Sequence, residues 1–219
     1  MKTAVSTLFL ATVLITASGQ SPQQRDSLVQ VICNTIIASE GKPDSARIMA
    51  AYEAHLFPFV TRYSEERFEE ISMSIYYRLQ RNCPPFKEIL DRTSPSSDWE
   101  KVDSGTVSQL KRRHCRKFFK QEKFSYLEAN GDTVHVDISN GYWTDRFRDG
   151  TFSRLSVTEL GPCEFEITFI ESDNESRRNF SAPGDTYRYT IIDNKGAYYE
   201  MVVTIPETNQ HARFRLYPR

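Results

Sequence analysis

Apolar positions recur every three or four residues through the first part of the chain and every second residue through the rest. Leu28, Val29, Ile32, Ile36 and Ile37 fall on one side of a helix. Gly41-Lys42-Pro43 breaks that helix, and Asp44 or Ser45 can cap the next one. The second helix carries Ile48, Met49, Tyr52 and Leu56 as far as Pro58. Ser64 followed by Glu65, Glu66 and Arg67 opens a third, with Phe68, Ile71, Ile75 and Leu79 as its stripe and Cys83 one turn later. Pro84-Pro85 stops it, and Phe86 to Leu90 add a last turn. The pattern predicts three or four short helices.

From Lys123 onward the period is two. Val134, Val136 and Ile138 alternate with His135 and Asp137. Phe165, Ile167 and Phe169 alternate with Glu164, Glu166 and Thr168, and Tyr187, Tyr189 and Ile191 with Arg188 and Thr190. Met201, Val203 and Ile205 repeat the pattern, as do Phe214 and Leu216. Turn signals such as Asn130-Gly131, Asn140-Gly141, Asp149-Gly150 and Pro183-Gly184 separate these runs. Such strands bury one face and wet the other. The predicted fold class is α+β: a small helical module over 20–92, a Ser/Pro-rich linker over 93–105 with Trp99 as a packed anchor, and an antiparallel β domain over 106–219. Seven or eight short strands suit an up-and-down barrel or a strongly curled sheet, with a sandwich as the alternative.

The first 19 residues read as a secretory signal. Lys2 supplies the positive start, Ala4 to Ala17 the apolar stretch, and Ala17-Ser18-Gly19 the small residues ahead of a cleavage before Gln20. The apolar stretch is short for a membrane span, and no later one approaches that length. The expected location is secreted or periplasmic, with no stable membrane insertion after cleavage. Export changes how Cys33, Cys83, Cys115 and Cys163 are read, since an oxidising compartment favours disulfides. Of three connectivities, Cys33–Cys83 with Cys115–Cys163 keeps each bridge inside one predicted domain. A zinc site is the alternative, but no CxxC or HxxxH spacing supports one, so no metal is expected.

The chain's 28 Lys and Arg against 29 Asp and Glu leave a net charge of -1, which excludes a globally basic nucleic-acid binder. Catalytic motifs of the GxSxG, HExxH, P-loop and GxGxxG types are absent from the sequence. Ser108-Gln109-Leu110-Lys111 fits SxxK but lacks the accompanying elements, and a solvated turn is the plainer reading. His135 and His211, with Asp137 near the former, could meet across a sheet, although the alternation turns His135 and Asp137 toward water. No catalytic residue is therefore assigned.

Lys111, Arg112, Arg113, Arg116 and Lys117 head a run that could meet an anionic partner; the plainer reading is an amphipathic helix with Cys115 and the phenylalanines inward. Aromatics crowd the β half. Those that fill a core need no ligand, whereas a hollow barrel would offer Tyr126, Trp143, Phe152, Tyr187, Tyr189 and Phe214 to an apolar or aromatic small molecule. Asn174-Glu175-Ser176 and Asn179-Phe180-Ser181 match the glycosylation acceptor pattern.

Two stretches carry a resemblance. Val31-Ile32-Cys33 with Leu79-Gln80-Arg81-Asn82-Cys83-Pro84-Pro85-Phe86 resembles a Cys-containing helical module of exported bacterial proteins with no established activity. Cys115 and Phe118 or Phe119 ahead of Phe124-Ser125-Tyr126, then Pro162-Cys163-Glu164-Phe165-Glu166-Ile167, resemble their small β domains. Related modules often carry further cysteines in the first helices, which this chain lacks. The resemblance implies a calycin-like, lipocalin-like shape in which a bridge ties the segment before the sheet to the sheet. It implies no cofactor and no activity. The function expected is non-enzymatic binding, of a small amphipathic ligand in the barrel or a protein partner on the helical surface. A hydrolase acting on envelope material and a structural or secretion-accessory protein are the alternatives.

Overall fold

The computed structural model describes residues 22–93, 98–103, 107–128 and 130–219. The signal expected over 1–19 lies outside them, as do parts of the expected linker.

The helical module holds α1 (Pro22–Ala38), α2 (Asp44–Ala51), α3 (Phe57–Val60), α4 (Glu65–Asn82) and α5 (Pro84–Thr93). Val29, Ile32 and Ile36 of α1 meet Ile71, Ile75 and Leu79 of α4 in a core closed by Phe86 and Ile89 of α5. The expected stripes thus pack against one another, except that Ile37, Met49 and Phe68 lie at the rims of their stripes and are exposed. The second helix does not stop at Pro58. It passes through a π turn over Tyr52–Leu56 and continues to Val60. Proline cannot donate to the preceding turn, and the wider register just ahead of it absorbs the lost bond without breaking the rod. Pro84 opens α5 at a position where its missing N–H costs nothing. Cys33 is bonded to Cys83, tying α1 to the end of α4.

The second half is a closed antiparallel barrel. Strands β2 (Lys123–Leu127), β3 (Thr133–Ser139), β4 (Tyr142–Arg146), β5 (Phe152–Gly161), β6 (Glu164–Ser172), β7 (Thr186–Asn194), β8 (Tyr199–Ile205) and β9 (Gln210–Pro218) each pair with the next in sequence. β9 returns to β2 through Phe124↔Pro218 and Ser125↔Tyr217, so the eight strands leave no free edge there. A further strand, β1 (Trp99–Lys101), extends that seam by pairing with β9. It falls inside the stretch expected as linker, and stacking of Trp99 on Phe214, 4.6 Å between ring centres, anchors it.

A basic helix, α6 (Arg112–Phe118), plugs one end. Phe118 packs on Phe124, Phe165 and Tyr199, and Cys115 is bonded to Cys163 at the β5–β6 turn. The other end faces the helical module, and a short helix between β6 and β7, α7 (Glu175–Phe180), sits beside α4 there. Two arginines of α4 dock the halves. Arg78 donates to Asp26, to Asp185 and to the Phe180 carbonyl. Arg81, 1% exposed, donates to Tyr187 Oη at 3.0 Å and to Glu207 at 3.2 Å.

The β3–β4 turn shows how local chemistry sets the register. Asn140 and Gly141 both have positive φ, 52° and 78°, as a two-residue hairpin of the primed type requires. Nothing lies within 4 Å of a Cβ built on Gly141, so Gly141→Ala is expected to cost about 1 kcal/mol from backbone strain alone, read as a lowered urea midpoint at unchanged m.

Candidate functional site

The barrel is filled at the α6 end and hollow at the other. Inward positions near α6 are large: Phe124, Phe165, Tyr199, Met201 and Leu216 are all buried together. Toward the helical module they shrink to Ser153, Leu155, Val203 and Ala212, and a cavity of about 1130 Å³ opens among them. Its volume, which includes the open mouth, lies just above the usual span of small-molecule sites. Pro84, Lys87 and Asp91 of α5 border the mouth, opposite Trp99 to Asp103.

Five of the six aromatics expected at a ligand site line this cavity: Tyr126, Trp143, Tyr187, Tyr189 and Phe214. Phe152 does not. On β5 the inward residues are Ser153 and Leu155, so strict alternation turns Phe152 outward, where its N–H donates to Asp173 at 2.6 Å. Trp99 joins the wall from β1, so both tryptophans of the chain face the same space.

The wall is not purely apolar. Trp143 and Asp145 lie two apart on β4, so both point inward. Trp143 Nε1 donates to Asp145 Oδ1 at 2.8 Å. Burial pushes the Asp145 carboxyl up to about 7, and the Trp143 bond offsets only part of that rise. Arg177 of α7 reaches the same wall, where it is bonded to Glu128 and donates to Tyr126 Oη at 3.3 Å. Burial also raises the phenols of Tyr126, Tyr187 and Tyr189, which keeps them protonated donors. Neither Asp145 nor Arg177 stands among the residues expected from sequence. A readable signal existed for Asp145: Trp143-Thr144-Asp145 puts a carboxylate on the face that Trp143 marks as inward.

The other candidates are scattered. His135 is exposed on β3, opposite Ser125 and Arg146, while His211 at the cavity mouth bonds Thr204 Oγ1 at 2.8 Å. Asp137 is taken by Ser139. Ser108 Oγ accepts from the Leu110 N–H in a local turn. Lys111, Arg112, Arg113, Arg116 and Lys117 are exposed around α6, whose Cys115 and Phe118 point in, as an amphipathic helix should. Asn174 caps α7 and its side chain also engages Ser176 and Thr151, so its amide is already occupied by the fold.

Fold and cavity together define a closed, hollow, eight-stranded antiparallel barrel capped by a disulfide-stapled helical module. Comparison of the chain with family models, curated proteins and solved structures gives no match. No helix among the described residues is long and apolar enough to cross a membrane. The two disulfides fit an oxidising, non-cytoplasmic setting.

Proposed function

We propose that this is an exported binding protein whose barrel takes up a small amphipathic molecule. One observation carries the reading: an aromatic-lined cavity of about 1130 Å³ that runs from the barrel interior to an open mouth beside α5, whereas the other end of the barrel is packed. Leu155, Phe169, Val203 and Phe214 suit an apolar body, while Asp145, Arg177 and the tyrosine hydroxyls suit a polar end. The mouth beside α5 gives a route in. The calycin-like resemblance and the signal-like N-terminus favour the same reading.

Exposed Val31, Ile37, Met49, Phe57 and Phe68 on the helical module favour a second reading, a protein partner on that surface. The two readings are compatible, since they use different faces.

The test uses the two tryptophans as reporters. The neutral probe N-phenyl-1-naphthylamine is expected to quench Trp99 and Trp143 saturably and to gain emission. Ala212→Trp, which fills the cavity from β9, is expected to abolish both changes while far-UV circular dichroism stays the same. Probe binding unchanged in Ala212→Trp, or no saturable binding at all, would refute the reading.

A further inference from the structure

We propose that the molecule this barrel takes up is a protonated amine on an apolar body, with its ammonium seated on Asp145. This rests on the cavity being a ligand site and names the chemistry of the ligand.

Asp145 is 7% exposed, and what it exposes faces the cavity. Its cross-strand neighbours are Val136 on β3 and Ser153 on β5, so neither adjacent strand brings it a cation. Oδ1 accepts from Trp143, while Oδ2 has no hydrogen-bond partner among the described residues. The titratable groups around it are Tyr126 on β2, Tyr189 with Tyr187 on β7, and Arg177 on α7. Only Arg177 is cationic, and Glu128 already matches its charge. Asp145 is therefore a buried carboxyl that lacks a counter-ion, and burial disfavours its charge until one arrives.

The surroundings supply the apolar part of the site. Trp143 and Tyr189 stand 5.5 Å apart, Tyr189 and Phe214 5.8 Å, and Tyr126 and Phe214 6.2 Å between ring centres. These rings line the cavity together with Asp145 and give apolar area to the tail that an ammonium would carry. Besides Asp145, five carboxylates against three Lys or Arg line the cavity and its mouth, so the field there favours cations. An anionic headgroup fits less well. Arg177 Nε is buried without a partner but has no surface open to the cavity, and Nη2 is held by Glu128.

The test is displacement of N-phenyl-1-naphthylamine by decylamine, decanol and decanoate, which share one tail and differ in charge. Near neutral pH decylamine is expected to bind about tenfold or more tighter than the other two. Asp145→Asn is expected to remove that preference by weakening decylamine far more than decanol. Calorimetry somewhat below neutral pH, in buffers of different ionisation enthalpy, is expected to show a proton released with decylamine and none with decanol. Decanol or decanoate binding as tightly as decylamine would overturn the proposal, as would an unchanged preference in Asp145→Asn. A probe that binds but that decylamine fails to displace overturns the amine and spares the cavity. A probe that does not bind at all overturns both.

Discussion

Arg78→Met is expected to turn one unfolding transition into two and to cost the docked protein about 3–4 kcal/mol. Arg78 is 3% exposed and sits between two carboxylates, Asp26 of α1 and Asp185 ahead of β7. Burial works against its charge, and bonds to the two carboxylates more than restore it, so its pKa stands above the usual arginine value. Removing the guanidinium strips Asp185, itself 13% exposed in its side chain, of its main partner and leaves the Phe180 carbonyl short of a donor. Arg81 still reaches Asp185 at 3.3 Å, which keeps the cost from rising further. Each disulfide lies within one half, so neither bridge holds the halves together once Arg78 is gone. Both tryptophans belong to the barrel half, whereas helical circular dichroism reports mostly on the module. In urea the two signals are expected to coincide for the parent and separate for Arg78→Met. Arg78→Lys is expected to recover only part, since one ammonium cannot span the fork that Asp26, Asp185 and the Phe180 carbonyl define. Coincident curves at the parent midpoint in Arg78→Met would refute this role.

Arg78 also marks where sequence reading stops. Alternation places Val134, Val136, Phe165, Ile167 and Tyr187 correctly inward, because period two and one buried face are strictly local properties. The same holds for the α1 and α4 stripes and for cysteine pairing by domain. Arg78 and Arg81, by contrast, look like solvated helix positions until the barrel brings Asp185 and Tyr187 to them across more than one hundred residues. Hollow against filled was equally out of reach. Aromatics are dense throughout the β half, but Phe124, Phe165 and Tyr199 cluster at the α6 end, while Ser153, Val203 and Ala212 share the other. Which inward residues share a level depends on barrel stagger, a global property that no single strand encodes. Phe152 fails for the opposite reason: its ring suggests a place in the wall, although its own alternation with Ser153 puts it outside.

Asp145→Asn is expected to raise stability in the absence of ligand, and to do so only above the pH at which the unfolded carboxyl ionises. The folded carboxyl titrates at about 7, whereas its unperturbed value is 3.8. Between those values the unfolded chain gives up the proton and the folded chain keeps it. The unfolded state therefore binds fewer protons, and stability falls as pH rises through that window. Below it both states are protonated and no cost exists; above it both are ionised and the cost is complete. At about 1.4 kcal/mol for each unit, the span amounts to about 4 kcal/mol. Asparagine carries no charge at any pH and keeps an oxygen for Trp143 Nε1, so the indole is not orphaned. The parent and Asp145→Asn are expected to have equal urea midpoints only below about pH 4, to diverge steadily from there to neutrality and to run parallel beyond it, with the variant the more stable. A constant offset across the whole range would mean that the carboxyl titrates as it does in the unfolded chain, and that water in the cavity already supplies what the protein withholds.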